Sequence, residues 1–182
     1  RRSVELSPGD AEAHNNLGAT FQSLGMLEKA ELSYHRAIAI KSDYAEAHNN
    51  LAATLRSLGK LDEAERRIKT VIALRPDYAE AHSHLGNTLQ QLGRLVEAEA
   101  SYQQAITVKA EYVDAYINLG TVLQQLNRSA EAIESYSAVI NLKPESVEAH
   151  YNLGVALEEL GRSDEAEASF RKAIALKPGF IE

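Results

Sequence analysis

Four asparagines stand at matched places along this 182-residue chain. Asn16 and Asn50 are 34 residues apart, as are Asn118 and Asn152, and His84 fills the one place missing between them. An amide side chain offers two donors and an acceptor with two lone pairs. It can therefore pair with both the N–H and the C=O of a peptide backbone, whatever side chains that peptide carries. Helices pack ~8–10 Å apart and an extended chain rises ~3.3 Å per residue, so amides repeated on stacked helices would hold about every third residue of a peptide. Histidines invite a second chemistry, because His14, His48, His82 and His150 also share one place. Equivalent atoms in stacked helices lie a full stacking distance apart, far beyond a ~2 Å Zn–N bond, so these rings do not converge on one ion. His82 and His84 are two apart and fall on different faces of a helix. No metal site is expected, and the four rings read as packing residues with a polar tip. No nucleophile constellation, paired catalytic carboxylate or phosphate loop is present, since the glycines are scattered singly. The chain reads as a binding surface without catalytic residues or cofactor, not as an enzyme.

The elements that must carry these residues follow from one period. Ala11 to Tyr44 is followed by a second 34-residue phrase of the same pattern, and the pattern recurs to Phe180. Five units are expected, at 11–44, 45–78, 79–112, 113–146 and 147–180, with 1–10 the tail of a preceding repeat and 181–182 the start of a sixth. Within a unit the small and apolar residues fall three and four apart, as at Ala13, Leu17, Thr20, Phe21 and Leu24, which is helical spacing. Gly25, Gly59, Gly93 and Gly161 then stop the first helix where a left-handed residue is needed, and Asn127 takes that place in the fourth unit. A second apolar stripe follows, for example Ala132, Tyr136, Val139 and Ile140, ending at Pro76, Pro144 and Pro178. Asp43 and Asp77 stand three residues before Glu46 and Glu80, the spacing of a capping box, and are expected to start the next helix. Gly18, Ala30 and Ala37 let the paired helices approach closely. Tyr34, Tyr102, Tyr136 and Phe170 share one place and are core by period.

This skeleton resembles the tetratricopeptide repeat, whose pattern is an aromatic, Leu-Gly, a large residue, Ala, an aromatic and Pro. The fifth unit shows it as His150, Leu153, Gly154, Leu157, Ala166, Phe170 and Pro178. Departures are mild: Ala52 replaces the Gly of the second unit and Ile68 its aromatic, while Pro is missing at Ser42 and Ala110. The resemblance implies an all-α fold, a right-handed superhelical solenoid of antiparallel helix pairs, with the first helix of each unit lining a concave groove. On that face it would place Asn16, Asn50, His84, Asn118 and Asn152. Around them would lie Asn15, Asn49, Gln22, Arg56, Asn87, Gln90 and Gln124. The second residue of every unit is acidic, from Glu12 to Glu148. This suits a helix N-terminus and would also make an acidic rim. Members of the family that grip a chaperone's C-terminal carboxylate use Lys or Arg there, so that clamp is not expected.

Composition narrows the partners. A net charge of −7 argues against nucleic acid, which needs a basic surface. No run of about 18 apolar residues is present, so no membrane span is expected. Cysteine is absent, which removes disulfides without fixing a compartment, although an intracellular soluble location is favoured. The function expected is a protein–protein interaction scaffold that receives an extended peptide or partner helix in its groove. Two alternatives stand beside it. The Ala-Glu-Ala-His phrase and the Asn line resemble the repeat arrays of O-linked N-acetylglucosamine transferases, in which such an array selects substrates for a glycosyltransferase domain. A self-assembling array is the other, because Ile174, Leu176, Phe180 and Ile181 would leave an uncapped apolar end for end-to-end association.

Overall fold

A computed structural model describes residues 9–178. Among these residues there are ten α-helices and no strand: α1 Ala11–Ser23, α2 Leu27–Ile40, α3 Ala45–Ser57, α4 Leu61–Leu74, α5 Ala79–Gln91, α6 Leu95–Val108, α7 Val113–Gln125, α8 Ser129–Leu142, α9 Val147–Glu159 and α10 Ser163–Leu176. The short connections inside the pairs α1–α2, α3–α4, α7–α8 and α9–α10, such as Leu24–Met26, make the two helices of each antiparallel neighbours. Most of the expected tail of a preceding repeat, residues 1–8, lies outside the described residues, as do Phe180, Ile181 and the expected start of a sixth unit.

The chain divides into two compact units, Arg1–Leu92 and Gly93–Glu182. The first holds α1 to α5 and the second α6 to α10. In the first unit Tyr34 and Leu51 are fully buried with Ala30, Leu55 and Ala64. A neighbouring cluster gathers Ala45, Ala52, Ile68, Val71 and Ala81. In the second unit Ile117, Val139 and Ala149 form the corresponding core, with Tyr116 and Ile140 packed against it. Ion pairs tie successive repeats on the surface: Lys60 Nζ lies 2.7 Å from Glu31, and Arg128 lies 2.7 Å from Glu99.

The first helix of each pair ends as its sequence predicts. Gly25 has φ 71°, and its N–H donates to the Gln22 carbonyl at 3.0 Å while Met26 N–H donates to Phe21 at 2.9 Å. These two bonds close orphan carbonyls in a Schellman motif. Asn127 does the same work at φ 59° in the fourth repeat. The helix starts differ from expectation. Asp43 and Asp77 form no capping box, because the N-caps fall one place later, at Tyr44 and Tyr78, and make no side-chain cap bond. The tyrosines instead face cations: Lys41 lies 5.2 Å from the Tyr44 ring centre, Arg75 4.4 Å from Tyr78 and Lys109 5.2 Å from Tyr112. Only where that later place holds an oxygen-bearing cap does capping occur. Asp10 accepts from the Glu12 and Ala13 N–H groups at 2.9 and 3.2 Å, and Ser146 accepts from Ala149 at 3.3 Å.

Glycine inside the first helix has a packing reason. A Cβ at Gly18, Gly120 or Gly154 would fall 2.6 Å from the ring of Tyr34, Tyr136 or Phe170 respectively. The second repeat changes both partners together: Ala52 takes the glycine place, and Ile68 packs in the same cluster where the ring would be. Tyr34, Tyr102 and Tyr136 are fully buried as expected. Phe170 is only half-buried, contacting Tyr151 at 5.7 Å between ring centres.

Candidate functional site

The asparagine line is carried by the first helices of the repeats, and in the first unit two of its members bond to the residue beside the line in the repeat before. Asn50 Nδ2 donates to Asn15 Oδ1 at 3.1 Å, and His84 Nδ1 lies 2.9 Å from Asn49 Oδ1. Both bonds join residues 35 apart, so the sixth residue of one repeat meets the fifth residue of the repeat before it. Asn15 and Asn49 are thereby buried between helices. Asn16 is exposed, and Asn50 and His84 are half-buried. One donor of Asn50 is taken, and its carbonyl oxygen is left over. Burial first, then the Arg56 charge, hold the His84 imidazole below its usual pKa, with Glu80 opposing.

In the second unit the fifth place is Ile117 or Tyr151, which offers no amide, and Asn118 and Asn152 are half-buried beside them. Asn87 and Gln90 are half-buried on α5. Gln22 and Gln124, expected to face a ligand, are used inside their own repeats. Tyr34 donates its hydroxyl proton to Gln22 Oε1 at 2.8 Å, and Tyr136 donates to Gln124 Oε1 at 2.7 Å. Sequence reading missed both patterns. The doublets Asn15-Asn16 and Asn49-Asn50 hinted at the first, and the constant spacing of Gln and Tyr at the second.

The recurrent histidines clasp the turns between repeats. Nε2 of His48, His82 and His150 lies 2.9, 2.8 and 2.9 Å from the carbonyl oxygens of Ser42, Pro76 and Pro144. A carbonyl only accepts, so Nε2 carries the proton. Among the described residues no three His, Cys, Asp or Glu side chains come together as metal ligands. The acidic second places gather near the turns: Glu46 pairs with Arg75 at 3.0 Å, and Glu12 and Glu46 help burial keep the Tyr44 hydroxyl protonated. No described helix is long and apolar enough to cross a membrane.

Antiparallel helix pairs at a constant period, seating an aromatic against a glycine in the first, fourth and fifth repeats, define a helical-repeat protein. Sequence profiles of the tetratricopeptide repeat match residues 11–44, 43–111, 77–145 and 117–179. The chain belongs to the tetratricopeptide repeat family. Among solved structures it is similar to MamA, at 28% identity and a TM-score of 0.81, over 88% of this chain and 94% of that one. MamA from Desulfovibrio magneticus RS-1 superposes at a TM-score of 0.83 with 20% identity, covering 94% and 97% of the two chains. YrrB, a tetratricopeptide protein with an unusual peptide-binding site, matches at 22% identity and a TM-score of 0.76, over 99% and 93%. A comparison with curated proteins finds no match.

Proposed function

We propose that the protein is an interaction scaffold that takes an extended peptide segment of a partner protein on the first-helix faces of its repeats. The observation that carries this reading is the recurrence of partly exposed amides at one place in four of the five repeats, with hydrogen-bonding capacity to spare at Asn50. Asn50 gives one donor to Asn15 and keeps an acceptor for a peptide N–H. In the second unit Ile117 and Tyr151 occupy the fifth places, so no amide there ties Asn152 to the repeat before it. Backbone recognition of this kind gives affinity without demanding a sequence, and the side chains around it supply preference. The peptide-binding site named for YrrB belongs to that protein, whose likeness here is one of fold.

The test is a selection of random dodecapeptides displayed on phage, followed by affinity measurements on wild type and on a variant with Asn16, Asn50, Asn118 and Asn152 changed to Ala. Binding of unrelated peptides should weaken together while circular dichroism stays unchanged. Equal affinities on the two proteins would move the binding surface elsewhere, and a selection that enriches no peptide would overturn the reading.

A further inference from the structure

The twelfth place of the repeat has an internal task that the second repeat has given up. In the first and fourth repeats Gln22 and Gln124 accept the hydroxyls of Tyr34 and Tyr136. The second repeat has Ile68 in place of that tyrosine, with no hydroxyl to receive, and its twelfth residue is Arg56. The fifth repeat repeats the rule, with Phe170 and a charged Glu158. Where the hydroxyl disappears, the residue opposite it becomes charged.

Arg56 stands in the last turn of α3, seven residues beyond Asn49 and so about two turns along the same face. Asn49 on that face bonds His84 of α5, which directs Arg56 towards the first helix of the next repeat. The side chain is half-buried. No carboxylate among the described residues pairs with it, although Arg67 and Arg75 of the same unit lie 3.3 and 3.0 Å from Glu63 and Glu46. A partly desolvated guanidinium left without an anion, in a protein of net charge −7, is a poor arrangement for stability alone. Its planar fork suits a carboxylate well.

We propose that Arg56 reads an acidic side chain, Asp or Glu, of the peptide lying on the first-helix face, and that His84 flanks this seat. The inference rests on the peptide-binding reading and names one specificity within it. His84 beside the seat is held neutral by burial and by the Arg56 charge, so it adds no second cation. A guanidinium in a last helical turn also complements the helix dipole, and that role would appear in stability and not in peptide preference.

The same phage selection decides the matter when the peptides are displayed with no free C-terminus, so that any carboxylate read is a side chain. Peptides enriched on wild type should carry Asp or Glu at one register. Their Gln or Asn counterparts should bind about tenfold more weakly, the ratio for one charge-assisted hydrogen bond. Arg56→Gln should erase that difference and Arg56→Lys should keep part of it, with unfolding midpoints reported for both. If Arg56→Gln does not fold, the comparison of acidic and amide peptides on wild type still decides. Peptides that depend on the asparagines yet ignore the acid-to-amide change would overturn the seat and leave peptide binding standing. A selection without enrichment would overturn both.

Discussion

At Gly120 one missing methyl group decides how the helices of a repeat pack. A Cβ there would fall 2.6 Å from the Tyr136 ring, inside any tolerated contact. Gly120→Ala should therefore destabilise by about 1–3 kcal/mol, the usual cost of overpacking. The same change in a Tyr136→Ile background should cost far less, since the second repeat already pairs Ala52 with Ile68. Urea unfolding of the four proteins completes the cycle, and equal costs in both backgrounds would contradict the packing account. The asparagines separate in the same manner. Asn50→Ala leaves the buried Asn15 oxygen without its donor, a loss of about 1–3 kcal/mol. Asn152→Ala, with Ile117 at the fifth place before it, should stay within about 0.5 kcal/mol. Sequence alone identified both amides as equivalent by period. It could not distinguish them, because their difference lies in the residue 35 places earlier.

Helix ends were legible where a single residue type decides the backbone. Gly25 and Asn127 take positive φ because the terminating turn requires it, and few other residues accept that conformation. Helix starts were less legible, since capping depends on which residue occupies one exact place. Asp43 has the right chemistry one position too early, and Tyr44 holds the cap position. Asp10→Ala should lower stability by about 1 kcal/mol, as loss of a working N-cap does. Asp43→Ala should change the unfolding midpoint little. Thermal melts of the two variants check this, and a comparable loss at Asp43 would restore the capping box. The tyrosines at these starts form a different device, in which Lys41, Arg75 and Lys109 lie over the rings of the following turn. Such contacts contribute about 0.5–1 kcal/mol at exposed sites.

Over the whole molecule, stability should fall on both sides of neutrality for separate reasons. Burial raises the Tyr34 hydroxyl from 10.0 to about 12 and raises Tyr136 as well. The folded state thus keeps a proton that the unfolded state releases first. This contribution is complete below pH 10 and is lost as pH rises towards about 12. Tyr34→Phe should flatten that alkaline decline, although it also removes the bond to Gln22. His84 behaves in the opposite sense, because burial and Arg56 lower its pKa from 6.5. The unfolded chain takes up that proton first, so stability is full above pH 6.5 and is lost as pH falls below it. Stability measured against pH for His84→Gln should show a shallower acid decline than wild type, and an unchanged slope would remove His84 from the account.

The sequence by itself determined the period, the helix pairs, the glycine stops and the membership of a repeat family. These follow from local backbone preference and from apolar spacing, both of which are written along the chain. It also marked the polar places on the first helices, because residue type sets how many hydrogen bonds a side chain can make. The tertiary structure decided which of those bonds are already used. Asn49 and Asn50 are engaged across repeats, Gln22 and Gln124 within them, and Arg56 has no carboxylate partner among the described residues. The physical reason is that such bonds depend on how one helix is rotated and shifted against the next. Periodicity brings helices together without stating which side chains then come within 3 Å or so of one another.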